Sequence, residues 1–105
     1  MSSPLLTAVK NLAEAHRRYV DTSRAVDRAA STRRALVLHG ALTQAHVDAE
    51  KAAMNADDLA RSAFDARLGD VFLQANLEVA AEQAEADDQA ERERECAETL
   101  HVEGA

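Results

Sequence analysis

A chain of 105 residues carrying 12 Lys and Arg against 19 Asp and Glu, a formal net charge of −7, fits one small domain able to bury roughly 65% of its unfolded surface. Hydrophobic residues make up 47% of it, but 24 of them are alanines, and two Phe and one Tyr are the only aromatics, a composition that favours helices and argues against strands. The lone Cys96 excludes an internal disulfide, no signal-peptide pattern opens the chain, and no apolar run approaches the ~18 residues of a membrane span, so the expected setting is the cytoplasm, with specialised export left open.

An alanine offers about one methyl of burial, at ~0.8 kcal/mol per carbon. The core must therefore come from 11 Leu, 8 Val, 2 Phe, 2 Met and the Tyr.

Residues 4–38 predict one long amphipathic helix. Ser3 is a candidate N-cap and Pro4 sits at the first helical position, where its missing N–H costs nothing. Leu5, Val9, Leu12, His16, Tyr19, Ser23, Val26, Ala30, Arg33 and Val37 recur at spacings of four and three, a heptad seam. Leu6, Ala13 and Val20 widen it on one side, Ala8, Ala15, Ala29 and Leu36 on the other. Such a stripe is broader than a two-stranded coiled coil needs and fits a bundle. Gly40 is the expected left-handed stop.

A second helix is predicted over about 44–68, ending at Gly69. Its seam reads Leu42, Ala45, Ala49, Ala52, Ala56, Leu59, Ala63 and Ala66, and a weaker stripe of Val47, Met54, Phe64 and Leu68 lies roughly opposite. Two apolar faces imply cover on both, from a third helix or a second subunit. Asp70 then reads as the N-cap of a helix over about 71–98, with Val71, Phe72, Leu73, Leu77 and Val79 for packing. From Ala80 through Thr99 only alanine is left as apolar filler. That tract is expected to be helical by propensity but solvated from about residue 82. If Gly69 lies inside one continuous helix, at ~1 kcal/mol, the chain becomes a two-helix hairpin.

The expected architecture is thus a single all-α domain over 1–105, an elongated antiparallel helical hairpin or a three-helix bundle with coiled-coil-like packing. Its core seam would comprise Leu5, Val9, Leu12, His16, Tyr19, Val26, Leu59, Phe64, Phe72 and Leu77.

Charge is segregated: residues 1–40 carry +4, residues 41–69 carry −2, and residues 70–105 carry −9. An acidic end is expected to seek the basic end of this chain or of another copy. Glu82, Glu85, Asp87, Asp88, Glu91, Glu93, Glu95 and Glu98 form a tract with enough charge to engage a basic protein, as a competitor for a nucleic-acid groove would. The plainer reading is a solvated helix face. Direct nucleic-acid binding is disfavoured, because Glu14, Asp21 and Asp27 interleave with Arg17, Arg18, Arg24, Arg28, Arg33 and Arg34.

No pattern carries catalysis. Cys96 sits among acids, which raise rather than lower a thiol pKa, and there is no phosphate-binding glycine loop or nucleophile motif. His39 and His46 are seven apart, His46 and Glu50 one turn apart, and Glu98 and His101 have the Glu-x-x-His spacing of di-iron bundles. Those sites need two such motifs plus further carboxylates, so no metal or cofactor is expected. His16, on the seam between Leu12 and Tyr19, is read as a half-buried imidazole bonded to a neighbour, with register or pH sensing as the functional alternative.

In length, hairpin and turn position the chain resembles the small helical-hairpin substrates of type VII secretion. Their turn carries Trp-x-Gly where this one reads Leu38-His39-Gly40, and no Tyr lies near the C-terminus. The likeness is one of architecture, and it implies export. The expectation is a non-enzymatic interaction or assembly protein, homo-oligomeric, with an acidic inhibitor or mimic and an exported hairpin as alternatives.

Overall fold

A computed structural model describes the backbone of residues 3–103 and the side chains of residues 3–99. Two helices account for nearly all of it, α1 over Pro4–Leu38 and α2 over Gln44–Glu103, with no strand among the described residues. Two compact units divide the chain, Met1–Val71 and Phe72–Ala105.

In the first unit the ends of α1 follow from local chemistry. The Leu6 amide donates to Ser3 Oγ at 3.0 Å, and Pro4 fills the first turn. At the other end Gly40 adopts φ +63°. Its amide donates to the Val37 carbonyl at 3.2 Å, while that of Ala41 reaches the Leu36 carbonyl at 2.9 Å. These are the paired bonds of a Schellman stop. Thr43 caps α2: its carbonyl accepts from Val47 at 3.2 Å, and its hydroxyl lies 2.6 Å from His46 Nδ1. His46 thus occupies the position that Glu or Gln takes in a capping box.

The expected three-helix bundle does not form, because α2 passes through Gly69 and Asp70 without interruption. Breaking it there would orphan up to four amides and four carbonyls. Keeping it costs one glycine in a helix, ~1 kcal/mol. Asp70, expected as a cap, accepts instead from Arg67 at 3.2 Å along the exposed side of the same helix.

Shielding on α1 follows Leu5, Ala8, Leu12, Ala15, Tyr19, Thr22, Val26, Ala29, Arg33 and Leu36, of which only Ala8 (6% exposed) and Ala15 (8%) are buried. The expected seam shares Leu5, Leu12, Tyr19, Val26 and Arg33 with this series. Its other half differs, for Val9, His16 and Val37 are exposed and Ser23 and Ala30 half-buried. A helix can lay a 3–4 series on either side of the shared row, and the side richer in alanine lets a partner helix come closer.

On the first-unit part of α2 the shielded series is Val47, Glu50, Ala53, Asp57, Ala60, Phe64, Leu68 and Val71. The expected alanine seam, Leu42 to Ala66, is exposed throughout, with Leu59 at 74%. One covering helix shields one stripe. The stripe with Val47, Phe64, Leu68 and Val71 buries more carbon than a row of methyls, and its Glu50 and Asp57 find partners on α1. Met54, expected beside Val47, remains exposed.

The second unit is helical through Glu103, and Phe72, Leu73, Leu77 and Val79 are all exposed. Phe72 and Leu77 are therefore not the core residues expected of them. From Ala80 to Thr99 every side chain is exposed.

Candidate interaction surface

Between α1 and α2 of the first unit runs a ladder of polar contacts. Arg33 Nε donates to both Glu50 carboxylate oxygens, at 3.0 and 2.8 Å. The hydroxyls of Thr22 and Ser23 both donate to Asp57 Oδ1, each at 2.9 Å. Arg61 Nε donates to the Tyr19 hydroxyl at 3.3 Å, and this bond holds the guanidinium pKa above its ordinary value. Next in line, Phe64 has its ring centroid 5.6 Å from that of His16 and 5.8 Å from that of Tyr19, both tilted. Numbers rise along α1 from 16 to 33 while they fall along α2 from 64 to 50, so the helices are antiparallel in one register.

Sequence reasoning placed Arg33 in the seam but missed Glu50 and Asp57. The signal was there: Glu50, Asp57, Phe64 and Val71 stand seven apart. Charges at heptad places read as breaks in a stripe until a partner for each is identified. These contacts fix which residues face each other, the best-attested use of polar groups in a helical seam. His16 lies beside the Phe64 ring, but it is exposed rather than half-buried as expected.

The two flanks of this hairpin differ. One carries Val9, His16 and Val37 of α1 beside Met54 and Arg61 of α2, and Lys51, Asp58 and Asp65 interrupt it. The other carries the alanines of α2. Here an open groove of about 350 Å³ is lined by Asn11, Glu14, Ala15 and Arg18 on α1 and by Leu59, Ala60, Ala63 and Arg67 on α2. A second hollow, of about 300 Å³, lies among Arg33, Arg34, Val37 and Leu38.

In the second unit, Glu82, Glu85, Asp87, Asp88, Glu91, Glu93, Glu95 and Glu98 are all exposed. At 100° per residue they spread over about two-thirds of the helix circumference rather than along one stripe. Arg92 pairs with Asp88, and Gln83 and Gln89 donate to Asp87 at 3.0 Å and Glu93 at 3.1 Å, each one turn apart. Cys96 is a free, exposed thiol. Among the described residues no three His, Cys, Asp or Glu side chains converge on a metal-sized space. The side chain of His101, half of the Glu-x-x-His pattern, lies outside the described residues. Among the described residues no helix is long and apolar enough to cross a membrane.

Comparison with family models, with curated proteins and with solved structures returned no match.

Proposed function

We propose that the chain is a non-enzymatic helical assembly protein that acts through protein–protein contacts as a homo-oligomer. One observation carries the reading. Only two alanines are buried among the described residues, while Leu6, Val9, Val37, Leu42, Met54 and Leu59 of the first unit are exposed. Scattered surface leucines need no explanation, but apolar positions recurring along a flank of a hairpin mark an interaction surface. Two helices joined by one row of contacts bury too little to leave much stability in reserve, and association supplies the missing cover. Light scattering with size exclusion across the micromolar range tests this: mass should exceed 11.3 kDa and depend on concentration. A monomer at all concentrations refutes it.

A second reading draws on the eight exposed carboxylates of residues 82–98, which present negative charge around about two-thirds of the helix and suit a basic protein as partner. Replacing Glu91, Glu93 and Glu95 with Gln should weaken capture by an immobilised polycationic protein more than the loss of three charges weakens capture by a simple anion-exchange resin. Equal losses on both would reduce the tract to a solvated helix.

A further inference from the structure

We infer that the hairpin opens at its turn and that two copies exchange α1, each α1 packing on the other copy's α2 through the residues it uses in the closed form. The inference rests on the assembly reading above and says how a first pair of copies joins. It starts from the phase of the shielded residues. Every seventh residue from Ala8 to Leu36 on α1 is buried or half-buried. The same count, carried across the turn through Thr43, lands on Glu50, Asp57, Phe64 and Val71 of α2, all half-buried. A companion row from Leu5 to Arg33 passes through Gly40 to Val47 and, one place out at Ala53 and Ala60, reaches Leu68. Closing a hairpin does not require this, because the turn leaves the rotation of each helix about its own axis independent of the other. In a continuous helix, residues seven apart share a face. With residues 39–43 helical, residues 5–71 would therefore carry one stripe along one side, the pattern of a long two-stranded coiled coil.

The register also suits a second copy. His16 meets Phe64, Tyr19 meets Arg61 and Ser23 meets Asp57, pairs all centred on residue 40. A two-fold axis through the turn restores each of these contacts between copies, as exchange of identical elements requires. Near the axis His39, Gly40, Ala41, Leu42 and Thr43 face their own counterparts, and none of them is Asp, Glu, Lys or Arg. The turn thus decides between the two forms. Its closed state holds Gly40 at φ +63°, with the Gly40 and Ala41 amides bonded back to Val37 and Leu36. In the open state those amides take the carbonyls four residues before them, so no backbone group loses a partner. Tethering favours closure when the protein is dilute, and exchange gains as concentration rises.

Two single-thiol chains, Ser23→Cys with Cys96→Ser and Asp57→Cys with Cys96→Ser, test this when refolded together from urea at high concentration and equilibrated in a glutathione redox buffer. In closed hairpins, associated or not, position 23 faces position 57 of its own chain, so the two chains are not linked. Exchange sets one chain's thiol against the other's, and the mixed disulfide dimer should exceed either disulfide homodimer by about tenfold or more. Lys51→Cys with Cys96→Ser, used in place of the Asp57 variant, should give no such excess. Absence of the mixed excess overturns the inference and leaves assembly standing if wild-type mass exceeds 11.3 kDa; a wild type monomeric at every concentration removes both. Gly40→Ala tests the same idea with every contact residue in place. Alanine strains the left-handed turn and favours the continuous helix, so sedimentation velocity should show association strengthened about 100-fold or more, each copy contributing about tenfold. Below its dissociation constant the variant is a closed hairpin with a weakened turn. Association unchanged or weakened in Gly40→Ala overturns the inference, including where Asp57→Cys fails to fold by circular dichroism.

Discussion

Replacing Gly69 with alanine and, separately, Gly40 with alanine should move stability in opposite directions. Both glycines read as helix stops in the sequence, but their surroundings differ. Gly69 lies in mid-helix with a helical backbone, and a Cβ built there meets nothing within 4 Å. Gly40 has equal space around it but φ +63°. Alanine at 69 removes unfolded-state freedom and adds helix propensity with no clash, worth about 0.5–1 kcal/mol. At 40 it must hold a left-handed conformation, costing about 1–2 kcal/mol. For a domain of this size each kcal/mol corresponds to about 4–8 °C in Tm. Thermal and urea unfolding followed at 222 nm should show Gly69→Ala up by a few degrees and Gly40→Ala down by roughly twice that. Protein concentration must be held constant, because association also raises Tm. A neutral or destabilising Gly69→Ala would mean that α2 is interrupted at that position, and the account of why the third helix fails to separate would go with it.

Other consequences concern the polar ladder. Asp57→Ala leaves the Thr22 and Ser23 hydroxyls without their shared acceptor and should cost about 1–2 kcal/mol in urea unfolding; Asp57→Asn, which retains an acceptor oxygen, should cost less. A double-mutant cycle on Arg33 and Glu50, whose side chains are 42% and 17% exposed, should return a coupling of about 0.5–1 kcal/mol that shrinks in high salt; a coupling of zero would show that the contact of Nε with the two carboxylate oxygens does not persist in solution. Phe64→Ala removes the ring on which His16 and Tyr19 rest and should cost about 2–3 kcal/mol, toward the low end for such truncations because the site is only half-buried. Ser3→Ala, which deletes the cap bond to Leu6, should cost about 1 kcal/mol.

Helical class, the cap at Ser3, the stop at Gly40 and the exposed acidic tract were all legible in the order of the residues. Each depends on propensity, on one turn of backbone, or on the lack of any large side chain after Val79. Which stripe of each helix turns inward depended on something else. Val9 and Ala8, or Leu59 and Asp57, compete for the same partner surface, and their ranking by hydrophobicity is the reverse of what folding selects here. Close approach of the helices rewarded Ala8 and Ala15. Complementary groups thirty-odd residues away, the hydroxyls of Thr22 and Ser23 for Asp57, made charged positions good seam residues. Those matches exist only once α1 and α2 lie antiparallel in one register. Local chemistry along the chain determined two helices and where they turn; the choice of faces, and with it the strip of alanine and Leu59 left open to water, was decided by the pairing, because a helix with two apolar sides and one neighbour can cover only one of them.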